Sequence, residues 1–480
     1  MSLQRDLFFG KTKGKSSKKD AFSGPGSSRR FRPIDTGKIE VRFDNQTVTQ
    51  FGGYPAWDSF ARSVGLKEEI SRAVRMKRGK GSFTPGELGR FLVEAKVLGA
   101  KRISHVDTIR SDPLLCKAHG LEVLPSGVTL NRFLKEHTER EVCALDRLCV
   151  RLTNSLYKKY TKSLPKEKRK QSKRIVLDYD STTFTIYGKQ EGADRGYCFR
   201  KKDKPGFQPR FAFIGDVGIT VNHELRPQSQ NLDKDFLSFH EETLKRLPKG
   251  VKVRAVRGDS ALYSKRIIRY LERKGLLYAI SASMTERLIR EVEKVPEDAW
   301  IEGIDEKGRP YSITRIKYQP KGWEKARTFI ITRRLKKETP GQLYLFPSMA
   351  YKYHAYVTNF PGPLFRQYKF AVQRATLESN IKEYKSDLGY AFLPCAQFVA
   401  NQAYLIYVIL ARNLSIFFKV LTAPAGPNRW TLGTFRHRVL CICGNLIREG
   451  GKLILSLPVW WPYRTIVKKI MERAFALAPL

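Results

Sequence analysis

Carboxylates are scarce in this chain of 480 residues: 46 Asp and Glu face 89 Lys and Arg, which leaves a net charge of +43. An excess of that size goes far beyond what solubility requires and points to a polyanionic partner, with nucleic acid and a membrane surface as the two classes. Also missing is an uninterrupted apolar run of the ~18 to 20 residues that a bilayer span needs. The best candidate, AYLIYVILARNLSIFF from Ala403 to Phe418, is broken by Arg412 and Asn413 and reads as a buried helix. The N-terminus is polar and basic where a secretory signal carries its apolar core, so no export signal is read there. Seven cysteines at irregular spacings make no disulfide framework and fit a reducing cytoplasm. Cys441 and Cys443 in CICG lack a second Cys or His pair at ligand spacing and read as buried apolar residues. Seven scattered histidines supply no Ser/His/Asp arrangement, and no internal repeat recurs at a fixed period.

What is present divides along the chain, whose length suggests roughly three domains. Residues 1–50 hold the runs KTKGKSSKKD and SGPGSSRRFRP, too polar for a core, and read as a basic, disordered arm. Residues 51–165 show helical periodicity and are expected to form a helical DNA-binding domain. Within it, LPSGVTLNRFLKEH places a Ser-Gly turn before a short helix bearing Asn131, Arg132 and Lys135, either a recognition helix or a packing helix. The run KKYTKSLPKEKRKQSKR (158–174) reads as a solvated linker that can also lie along phosphates. From 170 to 283 the pattern becomes α/β, with strands expected at 174–180, 210–217, 219–227, 251–259 and 276–283 and helices at 233–247 and 264–275. The GDVG turn predicts an antiparallel hairpin from the second and third strands, and the two strands separated by helices should run parallel to the first. The expected core is a mixed sheet flanked by helices. Residues 284–362 alternate apolar and polar positions as in an antiparallel meander and read as a β-rich insertion. A helical tract from about 366 to 390 opens the second part of the core, 363–420, and helices around the strand KLILSL (452–457) fill the C-terminal region, 421–480.

The stretch VLDYDSTTFTIYG (176–188) puts two acids into an otherwise apolar strand, where a bare carboxylate is costly. Alternation places Asp178 and Asp180 on one face, and a crevice at the C-terminal end of sheet strands is where open α/β folds put their chemistry. Asp259 likewise follows the apolar run RAVRG. Each strand-end Asp has a plainer role available, capping the next helix. On a helix, Arg374, Glu378 and Lys385 of QRATLESNIKEYKSDLGY fall on one stripe, either a salt-bridged exposed face or a metal-holding carboxylate between phosphate-binding cations.

These elements and acids together resemble the DDE transposases of bacterial insertion sequences over about residues 170–420. The resemblance implies a ribonuclease-H-like catalytic domain interrupted by the β-rich insertion. It assigns the first acid to Asp180 in DST, the second to Asp259 in RGDS, and the third to Glu378, whose signature of Tyr, Arg, Glu and Lys is met by Arg374, Glu378 and Lys385. Ala371 stands where the signature has Tyr, and Tyr368, one turn earlier, is the candidate replacement. The implied cofactor is a pair of Mg²⁺ or Mn²⁺ ions on Asp180, Asp259 and Glu378, ions that suit in-line phosphodiester cleavage. The implied partners are double-stranded DNA, as terminal inverted repeats and target, and a second copy of the chain; the implied location is the bacterial cytoplasm, at the nucleoid. Arg374, Lys382, Lys385, Arg132 and Lys135 are candidates for DNA contact, most of it to backbone. Trp300 and Trp323 are candidates for stacking on an unpaired base, with sheet packing as the alternative. A nuclease or resolvase of the same fold, and a DNA-binding protein that has lost catalysis, are the competing functions; the absent Tyr and the run RPQSQNLD (226–233), with no Gly, keep the latter open.

Overall fold

A computed structural model describes residues 36–76, 79, 83–196, 204–230, 235–305, 308–336, 350–373 and 375–480, with backbone alone at 38 and 375–378. Most of the expected arm, residues 1–35, lies outside the described residues. The N-terminal helices start where capping residues satisfy their free N–H groups. Thr84 and Glu87 form a reciprocal capping box on α1 (Pro85–Leu98), with Pro85 opening the helix. Ser126 accepts from the Thr129 N–H to start α2 (Gly127–Lys135), and Thr138 with Glu141 starts the long α3 (Glu139–Ser163).

The chain then builds one large mixed sheet. β1 (Arg174–Ser181) pairs antiparallel with β2 (Arg210–Ile214). β2 turns through Gly215–Gly218 into the antiparallel β3 (Ile219–Glu224), as the GDVG turn predicts; Gly218 takes φ +78°, a conformation that favours glycine. Helix α4 (Phe236–Arg246) returns the chain to β4 (Lys252–Gly258), which lies parallel to β1. Helix α5 (Lys265–Arg273) leads to β5 (Leu277–Ala282), parallel to β4.

β6 (Ile301–Ile304), β7 (Pro310–Tyr318), β8 (Arg327–Leu335) and β9 (Tyr351–Thr358) form the antiparallel meander read from the alternation in this region. They do not make a sheet of their own. β9 pairs antiparallel with β5, from Ala355 opposite Ala282 to Thr358 opposite Ala279. The result is nine strands in the order β3-β2-β1-β4-β5-β9-β8-β7-β6.

The helical tract that follows is split into α6 (Leu364–Val372) and α7 (Ala375–Ser386). Next comes α8 (Phe398–Thr422), apolar and long enough to cross a membrane, yet buried along most of its length inside this fold. A helix with apolar residues on every side belongs at the centre of a packed body, and α8 packs against α1, α2, α3 and β3. Its two interrupting polar residues tie it to the β2–β3 hairpin: Arg412 Nη1 donates to Gly218 O at 2.6 Å, and Asn413 exchanges bonds with Thr220 N and O at 3.0 and 2.8 Å. The C-terminal region is less purely helical than its sequence suggests. Gly444–Glu449 and Lys452–Ser456 form a hairpin that pairs with Val48–Thr49 in a small sheet.

Candidate active site

Asp178 and Asp180 share a strand face but have different surroundings. Asp178 is fully buried and is gripped at both oxygens by Arg257, Nε to Oδ1 at 2.6 Å and Nη2 to Oδ2 at 2.7 Å. The parallel register of β1 and β4 sets Asp178 beside Arg257, so two charges costly alone neutralise each other. Arg257 Nη1 continues to the backbone oxygen of Phe370 at 3.1 Å and to Gln373 Oε1 at 3.4 Å. One guanidinium thus joins β1, β4 and the end of α6. A neighbouring glycine makes the room: a Cβ on Gly215 would lie 2.3 Å from Asp178 Oδ2 and 2.7 Å from Arg257 Nη2.

Two residues further on, at the strand end, Asp180 is half-buried, and its Oδ1 accepts the Ser181 N–H at 2.9 Å. Asp259 directly follows β4, and its Oδ1 caps the short turn Ser260–Leu262 through Ala261 N at 3.1 Å. The capping role open to a strand-end Asp is therefore real here, and it also fixes the carboxylate's orientation. Because β1 and β4 are adjacent and parallel, their C-terminal ends lie side by side. Asp180 and Asp259 line one pocket of about 20 Å³, with Arg210, Phe211, Phe236 and Phe239 among its walls. That is room for about one bound water.

Glu378 lies in the first turn of α7, and its side chain is outside the described residues, as is Arg374 altogether. Three ties fix α7 against the sheet and α8. Tyr384 stacks on Phe211 at 5.2 Å, and its hydroxyl lies 2.8 Å from Thr220 Oγ1. Phe211 is the register partner of Asp180. Glu383 pairs with Arg412 at 2.9 Å; burial alone would raise the Glu383 carboxyl, but the charges of Arg412 and Lys419 outweigh it and hold the group below its usual value. Lys385 Nζ donates to Thr183 O at 3.4 Å, three residues past Asp180, while Lys382 is exposed. The helix carrying Glu378 is therefore docked beside the strand carrying Asp180.

Among the described residues no group of three His, Cys, Asp or Glu gathers at metal-binding distance. Asp180 and Asp259 still fit a hard divalent ion by donor type, since both are carboxylates that line one pocket at the C-terminal ends of adjacent strands.

The other candidates are placed as follows. On α2, Leu130, Phe133 and Leu134 are buried while Arg132 and Lys135 are exposed. Trp300 is only 8% exposed, with Arg333 stacked 4.2 Å from its ring, so its indole is occupied by packing and is not free to take a base. Trp323 is half-buried against Tyr263 and Arg327. Ala371 is buried, and Tyr368 packs on Tyr311 and Tyr356 of the meander, which gives it neighbours other than the acids.

Sequence reasoning missed Arg257 and Arg210. An Arg inside the apolar run RAVRG, on a strand parallel to one holding an unexplained Asp, was the available signal for the first. Arg210 carried no comparable mark.

The family model described as "Transposase DDE domain group 1" matches residues 31–479. No curated protein matches the chain. Among solved structures, the piggyBac transposase synaptic complex with hairpin DNA aligns at 11% identity over 89% of this chain and 83% of that one, with a TM-score of 0.38. The family match spans nearly the whole sequence, and on that ground the chain is a member of the DDE transposases.

Proposed function

We propose that this protein is the cut-and-paste transposase of a bacterial insertion sequence, with a ribonuclease-H-like core and Asp180, Asp259 and Glu378 as its catalytic acids. The observation that carries the reading is the opening of Asp180 and Asp259 from adjacent parallel strands into one pocket. The strand order β3-β2-β1-β4-β5, with β2 alone antiparallel to both of its neighbours, supports the assignment of the core. Divalent Mg²⁺ or Mn²⁺ ions, when bound by these acids, would supply activation of the attacking oxygen and charge relief on the leaving one.

The chain's own residues do the orienting. The Ser181 and Ala261 N–H groups each fix one oxygen of the two aspartates that line the pocket. Lys385, held at Thr183 O, puts a cation beside the strand end, where it favours a phosphate. In the proposed sequence, water attacks at each element end, and the freed 3′-hydroxyl then attacks the target strand in line. DNA as the partner is supported by the charge of +43. It is also supported by a groove of about 910 Å³ lined by the exposed Arg147, Lys158, Lys162, Lys173, Lys245 and Lys249, which faces duplex backbone in this reading. Pairing of two ends by two copies of the chain completes the proposal.

Asp180→Asn is the test. The variant should bind terminal-repeat DNA as the parent does and lose Mg²⁺-dependent nicking, and undiminished nicking would remove Asp180 from the site. Strand transfer by pre-cleaved ends separates a transposase from a nuclease of the same fold, because only the transposase joins them to target DNA.

A further inference from the structure

Arg210 is the strongest unabsorbed feature near the acids. It begins β2 directly opposite Ser181, the residue after Asp180, and lines the pocket that holds Asp180 and Asp259. Its side chain is deeply buried, the residue being 7% exposed. Nη2 is spoken for, lying 2.6 Å from Glu224 Oε2 across the β2–β3 pair, and the guanidinium stacks on Phe239 at 4.3 Å. Nε and Nη1 are buried and have no hydrogen-bond partner among the described residues. A buried donor left unsatisfied is costly, and a bound acceptor would recover that cost. The ion pair with Glu224 uses one edge of the fork and does not explain why an arginine, with its further donors, stands beside the catalytic acids.

We infer that Arg210 binds a non-bridging phosphate oxygen of the DNA strand being cut. The inference rests on the transposase reading above and adds to it a phosphate contact on the opposite side of Asp180 from β4 and Asp259. A guanidinium suits this task because its planar N–H groups match phosphate oxygens and its charge persists at every working pH. Arg226, almost fully buried nearby, adds a second cation near Glu224, at 3.9 Å. Burial, and after it the Arg210 charge, hold Arg226 below its usual value, so the two guanidiniums feel each other.

The test is a coupling experiment on end binding and single-turnover nicking. Parent, Arg210→Gln and Arg210→Lys are each assayed on duplex ends with ordinary phosphates and on ends carrying one neutral methylphosphonate, placed in turn at the scissile position and its immediate neighbours. Binding is read in the Asp180→Asn background. With ordinary phosphates, Arg210→Gln should weaken binding or slow nicking by about 10- to 100-fold, and Arg210→Lys should restore part of that loss. At the contacted position the methylphosphonate should impair the parent while the Arg210→Gln penalty shrinks toward none. A penalty of equal size at every position would make Arg210 a structural member of the Glu224 pair and overturn the inference. Because parent nicking and its loss in Asp180→Asn are measured alongside, that result leaves the transposase reading standing. Absence of parent nicking would instead remove the reading itself.

Discussion

Removing Arg257, whose carboxylate partner is Asp178, should be among the most damaging single changes in the core. Asp178 is 0% exposed and Arg257 3% by side chain, so neither can rehydrate where it stands. In Arg257→Ala the Asp178 carboxylate keeps its burial and loses both hydrogen bonds of the fork, and the Phe370 carbonyl loses its 3.1 Å donor. Breaking a buried pair from one side costs about 3–5 kcal/mol. Arg257→Lys keeps the charge but has no planar fork, and about 1–3 kcal/mol of loss is expected. Exchanging both partners together, as Asp178→Leu with Arg257→Met, should cost less than Arg257→Ala alone, because no unpaired charge remains. Urea unfolding followed by tryptophan fluorescence measures all three, each against the parent. A loss under about 1 kcal/mol for Arg257→Ala, the range of an exposed pair, would refute the argument that Asp178 is sealed in the sheet.

Two further expectations concern charge and pH. Lys158→Gln, Lys162→Gln and Lys245→Gln together should lower the slope of log K against log salt for duplex binding by about 2.7 units, at about 0.9 for each phosphate no longer neutralised, as read by fluorescence anisotropy across a salt series; an unchanged slope would place the DNA elsewhere. Burial pushes His223 and His240 down to about 4, so each takes up a proton on unfolding between pH 4 and 6.5 and stability falls as pH drops through that window. His240→Gln should flatten this fall by one proton's worth in denaturant titrations at stepped pH, and an unaltered slope would mean that His240 is charged in the fold.

Much of the core was legible in the sequence because its signals are local. The GDVG turn announces the β2–β3 hairpin, and spacing by helices announces two strands parallel to β1. The meander was equally visible as alternation. Its attachment was not, since alternation says which faces pair with water and core but not which edge a strand joins. That β9 docks on β5 depends on the exposed edge β5 offers once α5 has placed it, a property of the assembled sheet. The small sheet of Val48–Thr49 with the C-terminal hairpin escaped for the same reason, because its partners lie nearly 400 residues apart.

Depth along a single strand decides what an acid can do. Asp178 and Asp180 have the same residue type, face and strand, and composition cannot tell them apart. At position 178 the strand is flanked by β4 and by the turn at Gly215, and only a fully compensated charge survives there. Two residues on, the pairing with β4 has ended, and Asp180 keeps one oxygen on the Ser181 N–H and lines a pocket shared with Asp259. The Asp178–Arg257 pair is then what holds the shallow acids in register. Arg257 stands two residues before Asp259, Asp178 two before Asp180, and the same guanidinium reaches the end of α6, five residues before Glu378 at its Gln373 contact. A paired charge buried beneath the pocket ties together the three segments that carry the proposed catalytic acids, which accounts for the first of the two aspartates in a strand that should have been apolar.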